Sequence, residues 1–93
     1  MHSSLRVLIT GRVQGIGFRA WTVREATHRA LRGWVRNVGD NQVEAVFCGH
    51  AAAINTMIEA CKQGPQSARV DKIETFTHKE EITEGVFSAR PSV

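Results

Sequence analysis

The chain has no tyrosine, and aromatic residues make up only 6% of it. So few rings leave little for a base-stacking platform, and Trp21 and Trp34 are expected to be packing residues. No apolar run approaches the length needed to span a bilayer, and the N-terminal MHSSLRVLIT lacks a basic segment followed by a long apolar one. A cytoplasmic protein with no membrane partner is expected. Cysteine is scarce as well: Cys48 and Cys61 form no CxxC pair, and His2, His28, His50 and His78 show no metal-ligand spacing. Neither a metal nor another cofactor is expected. Two buried, reduced thiols are expected, although the spacing alone leaves a disulfide open.

The remaining composition is that of an ordinary globule. At 93 residues, 42% hydrophobic and 23% charged, the chain reads as one small domain over residues 1–93, able to bury a modest core. Its net charge of +3 biases it mildly toward anionic partners without being a nucleic-acid signature. The densest chemical signal is GRVQGIGFR, Gly11 to Arg19. Gly11, Gly15 and Gly17 permit positive φ, so the N–H groups around Gln14, Gly15, Ile16, Gly17 and Phe18 can converge as an anion nest. A helix opening near Phe18 or Arg19 would aim its unpaired N–H groups at the same point, and Arg19 would add a planar fork suited to two phosphoryl oxygens. A plain glycine-rich turn is the simpler reading of such loops; here strand, nest, arginine and helix occur together.

Periodicity supplies the frame. Leu5 to Thr10 alternates as a strand feeding the loop. Between Arg19 and Leu31, a stripe of Ala20, Val23, Thr27, Ala30 and Leu31 predicts a helix stopped at Gly33. Trp34–Val38 and Val43–Cys48 flank the turn-forming Gly39 to Gln42 and predict a hairpin. Ile54, Met57, Ile58 and Cys61 repeat at helical spacing, so Ala51–Gln63 reads as a second helix ended by Gly64 and Pro65. Arg69–His78 predicts an irregular strand, KEEITEG a solvated connection, and Val86–Ala89 a short last strand. The order β, α, β, β, α, β is the split βαβ pattern: an α+β, ferredoxin-like sandwich with an antiparallel sheet and both helices on one face. Asn37, near the end of the second strand, would project toward the glycine loop if those strand ends meet; a local structural role is the commoner use of an asparagine beside a turn.

Rival motifs fail at identifiable points. Gly15, Gly17 and Ala20 satisfy a GxGxxA dinucleotide fingerprint with Asp40 downstream, but the second strand runs into a hairpin where that fold needs a helical crossover. A Walker-type GxxxxGK followed by Ser or Thr is missing. RGWVRNVG is superficially like part of an RNA-binding sheet, yet Phe47 is the one aromatic on the expected third strand, and no nucleic-acid partner is expected.

GRVQGIGFR at 11–19 and GWVRN at 33–37, extended by VEAVFCG and GPQSARVDKIE, make the chain resemble the acylphosphatase family over nearly its whole length. The resemblance implies a ferredoxin-like sandwich that hydrolyses a small-molecule acyl phosphate to a carboxylate and inorganic phosphate without a metal, the phosphate acting as product and inhibitor. By match of position, Arg19 corresponds to the family's phosphate-binding catalytic arginine and Asn37 to its water-orienting asparagine. Gln14 to Phe18 correspond to its phosphate loop. The C-terminal FSARPSV is a looser match. A monomer is expected. A non-catalytic domain that binds phosphate or an acyl phosphate is the alternative, against which the presence of both Arg19 and Asn37 argues.

Overall fold

The computed structural model describes residues 2–79 and 82–93. Strand β1 (His2–Arg12) leads through the glycine loop to helix α1 (Phe18–His28); β2 (Arg32–Val38) and β3 (Gln42–His50) form the hairpin. Helix α2 (Ala51–Gln63), β4 (Arg69–Thr77) and a three-residue β5 (Phe87–Ala89) complete the order. The strands lie β4-β1-β3-β2-β5 across the sheet. The four long strands pair antiparallel, as the ferredoxin-like sandwich requires. The expectation of a purely antiparallel sheet needs one correction, because β5 runs parallel to β2 and makes the sheet mixed.

Alternation in β3 shows why the sheet is central. Val43, Ala45 and Phe47 face the helices, and Glu44, Val46 and Cys48 face the other side, with every one of them buried. On the helix side, Val7 and Ile9 of β1 and Val35 of β2 join Ile54, Met57 and Cys61 of α2 and Phe18 and Ala26 of α1. Fully burying one such aliphatic or aromatic side chain contributes roughly 1.5–3 kcal/mol, so this layer dominates the favourable side of folding. A smaller cluster of Trp34, Val46, Cys48 and Ile82 lies on the opposite face. Beside it, buried Glu44 receives hydrogen bonds from Arg6 Nη1 at 2.8 Å and Arg36 Nε at 2.7 Å, tying three adjacent strands with charge-assisted contacts.

Several local expectations change. Helix α1 buries Phe18, Thr22 and Ala26, while Ala20, Thr27 and Ala30 of the predicted stripe are exposed. Thr22 can enter the core because its hydroxyl donates to the Phe18 carbonyl at 2.8 Å, satisfying the polar atom within the helix itself. The helix also stops before Gly33. Ala30 adopts φ 58°, with its N–H on the Thr27 carbonyl and the Leu31 N–H on the Ala26 carbonyl. These paired bonds make a Schellman cap whose left-handed position is occupied by alanine.

The KEEITEG connection is not wholly solvated: Ile82 is buried against Trp34, although Glu80 and Glu81 lie outside the described residues. Gly11 serves the sheet instead of the loop. A Cβ there would come within 2.2 Å of the Arg69 carbonyl, at the point where the β1–β4 register shifts. Both cysteines are free and buried, as expected.

Candidate active site

Residues 13–17 carry the chain from the end of β1 to the start of α1. Gly15 and Gly17 have φ values of 74° and 81°, and a Cβ added at either would meet nothing within 4 Å. Their requirement is therefore conformational and not spatial: only the left-handed backbone turns the loop into the helix at this angle. Gly17 is the N-cap residue of α1, with no side-chain cap bond, and no acidic residue occupies the first turn. The first bond into the helix runs from the Trp21 N–H to the Gly17 carbonyl at 2.9 Å. By helix geometry the N–H groups of Phe18, Arg19 and Ala20 have no partner within the helix, so the positive pole of α1 stands open at the loop.

A cavity of about 400 Å³ lies at that pole. Gly15, Gly17, Phe18 and Arg19 line it from the loop and helix, and Asn37 lines it from β2. Asn37 shares the helix-facing side of its strand with Val35, and sits near the hairpin end where the sheet meets the loop. Arg19 and Asn37, eighteen positions apart in sequence, thus reach one space. Arg19 is half-buried, and its Nη1 donates to the Arg90 carbonyl at 3.1 Å. Its remaining N–H donors stay available for an oxyanion.

The side chains of two of the expected loop residues do not line the cavity. Gln14 points its side chain away from the cavity into the β2–β3 hairpin, where Nε2 lies 3.2, 2.9 and 2.9 Å from the carbonyls of Val38, Gly39 and Gln42. Ile16 packs against the core. Val13, Ala20 and Ala89 complete the cavity wall, and none of them is an expected site residue from sequence. Small residues carry no chemical signal, and Ala89 comes from a strand whose partner was unknown. Nor could the Arg90 carbonyl be found by motif, since a main-chain acceptor has no letter. Among the described residues, no three His, Cys, Asp or Glu side chains gather as a metal site. No described helix is long and apolar enough to cross a membrane.

The comparisons with known proteins agree with this architecture. The acylphosphatase family profile matches residues 5–89. An acylphosphatase of Nitrobacter winogradskyi is 55% identical over 75 residues, covering 80% of this chain and 76% of the relative. The acylphosphatase of Rhodospirillum rubrum is 46% identical over 90 residues, covering 97% and 98% of the two chains. The crystal structure of acylphosphatase from Bacillus subtilis superposes with a TM-score of 0.88 at 34% identity, covering 97% of this chain and 99% of that one. A small α+β sandwich with a cavity where a glycine loop opens a helix is the class that fold and site define. The chain belongs to the acylphosphatase family.

Proposed function

We propose that the protein hydrolyses acyl phosphates to a carboxylate and inorganic phosphate by in-line attack of water, with Arg19 and Asn37 as its catalytic side chains. The supporting observation is that these two residues, from α1 and β2, line one cavity at an uncapped helix N-terminus. The loop N–H groups from Gln14 to Phe18 and the Arg19 guanidinium hold the phosphoryl oxygens. They stabilise charge that spreads over the equatorial positions in the transition state. Asn37 orients the attacking water through its amide; an amide has no useful basicity, so its role is positioning.

Leaving-group chemistry explains the sparse machinery. The departing carboxylate has a conjugate acid pKa of roughly 4, so it leaves as an anion without a proton donor. Water oxygen forms the new P–O bond, the acyl P–O bond breaks with its electron pair on the carboxylate, and the water proton passes to a phosphoryl oxygen. Arg19 and the N–H cradle supply the positive charge that this reaction requires. We read the protein further as a monomer, and as cytoplasmic in keeping with its two free cysteines.

The deciding experiment is hydrolysis of acetyl phosphate and an aromatic acyl phosphate by the purified protein, with and without exhaustive chelation. Turnover should survive chelation, and inorganic phosphate should inhibit competitively. Phosphate should also raise the melting temperature in proportion to the logarithm of its concentration above Kd, beyond any effect of chloride at matched ionic strength. Phosphate stabilisation without turnover would leave a binding domain. Equal responses to phosphate and chloride, with no turnover, would remove the site altogether.

A further inference from the structure

Arg19 enters the cavity from the first turn of α1, but its observed hydrogen-bond partner comes from the far end of the chain. The acceptor is the Arg90 carbonyl, 3.1 Å from Arg19 Nη1. That carbonyl belongs to a segment running beside β2 past the end of β5. The Arg90 N–H donates to the Val35 carbonyl at 2.8 Å, the Val93 N–H to the Asn37 carbonyl at 3.0 Å, and the Gly39 N–H to the Val93 carbonyl at 3.0 Å. One terminal strap therefore touches both Arg19 and the main chain of Asn37. A strap of this kind, exposed and held by a few bonds, is where chains ordinarily fray.

Its anchor lies on the other side of the sheet. The Arg90 guanidinium sits 4.5 Å from the centre of the Trp34 ring and forms an ion pair with Glu84. Trp34 is itself fixed in the cluster with Val46, Cys48 and Ile82. Arg90 thus joins the two faces: its side chain is gripped on the helix-free face, while its carbonyl receives Arg19 on the cavity side. A cationic side chain suits this use because its charge can sit over a ring and pair with a carboxylate at once.

We propose that Arg90 is a positioning residue for the cavity, its side chain clamped by Glu84 and Trp34 so that its carbonyl fixes the rotamer of Arg19. This inference rests on the reading of Arg19 as the phosphoryl-binding group. With one Nη1 donor committed to the carbonyl, the fork is held in one orientation and its other donors face the ligand without a search among rotamers. Glu84 takes part from outside the cavity. Its carboxyl is held below the ordinary carboxylate range, chiefly by its own backbone N–H and, against the opposing effect of burial, also by Arg90.

The test uses Arg90→Met, Arg90→Lys, Glu84→Gln and the Arg90→Met/Glu84→Gln double variant in the full chain, at a temperature well below every melting transition. Arg90→Met should weaken inorganic phosphate binding and lower kcat/KM for acetyl phosphate by about tenfold to 10²-fold, the range for a misplaced catalytic group. Arg90→Lys, which keeps the charge beside Glu84 and over Trp34, should recover most of that loss. Glu84→Gln should cause a smaller loss of the same kind, and the double variant should be no worse than Arg90→Met alone. Nitrogen NMR of the Arg19 guanidinium should show restrained rotation of its Nη1 group in the parent protein and averaging in Arg90→Met. A folded Arg90→Met protein with parental phosphate affinity, kcat/KM and Arg19 spectrum would overturn the proposal. A loss that Arg90→Lys does not relieve, or one confined to melting temperature, would overturn it too. Should the parent protein bind no phosphate and turn over no substrate, the site reading fails, while the Arg19 spectrum still decides whether the clamp exists.

Discussion

The amide of Gln14 donates to the carbonyl of Gln42 across 2.9 Å, closing the glycine loop onto the hairpin that carries Asn37. The same nitrogen lies within hydrogen-bond reach of the Val38 and Gly39 carbonyls, so one side chain meets the converging acceptors of the β2–β3 turn. An amide fits there because its two N–H groups can be shared among carbonyl acceptors.

Replacing Gln14 distinguishes this role from direct ligand binding. Gln14→Ala should lower stability by about 1–2 kcal/mol, the usual effect of leaving partly buried acceptors without their partner. Gln14→Glu should destabilise more, since a carboxylate would face three carbonyls. Urea unfolding measures both changes; a Glu variant as stable as the parent would refute the assigned contacts.

Arg19 and Asn37 should separate in kinetics, because one is assigned to the phosphoryl group and the other to the water. Arg19→Ala should weaken phosphate binding and reduce turnover together, with a rate loss on the order of 10³ or more if it acts like an arginine finger. Arg19→Lys should not restore activity, as a point charge lacks the fork. Asn37→Ala should lower kcat by roughly 10² with little change in phosphate affinity. Steady-state kinetics, phosphate titration and circular dichroism of each variant check the contrast. Full turnover in folded Asn37→Ala would return that residue to a structural role.

Ala30 offers a stability gain away from the cavity. At φ 58° its Cβ is strained, and glycine relieves that strain at some expense in unfolded-chain entropy. Ala30→Gly should therefore stabilise the fold by about 0.5–1 kcal/mol, raising the melting temperature by roughly 2–8 °C for a domain of this size. Ala30→Val should lower it. A thermal melt showing the reverse order would contradict the left-handed cap.

Cys61 should impose an alkaline limit. Burial pushes its thiol up to about 12, against the pull of Arg29, with Glu25 adding slightly to the rise. In the unfolded chain the thiol ionises near 8.5, so between about pH 9 and 12 the folded state binds the extra proton and stability falls as pH rises. Below that window both states hold the proton and the contribution is flat. Denaturant unfolding of the parent and Cys61→Val should diverge in slope above about pH 9, the variant being less sensitive. Parallel curves would show that Cys61 does not couple folding to pH.

Local chemistry made much of this molecule legible in its sequence. Alternation marked β1, turn-forming residues between two β-rich runs marked the hairpin, helical spacing marked α2, and GRVQGIGFR marked a positive-φ loop opening a helix, because each depends on neighbours within a few residues. Register and burial of α1 did not follow from its letters: Thr22 enters the core through a hydrogen bond to its own helix, which apolar counting misses. Gly11 looked like part of the loop until β4 crossed it. Ile82 looked solvated until the connection folded back over Trp34. The tail is the clearest case. FSARPSV has little periodicity, and its parallel course beside β2 depends on partners more than fifty positions away. Sequence alone marked the glycine loop and Arg19 as candidates for an anion site; tertiary structure decided that Arg19 is held from the other end of the chain, since main-chain carbonyls are identical in every residue and only long-range packing selects one.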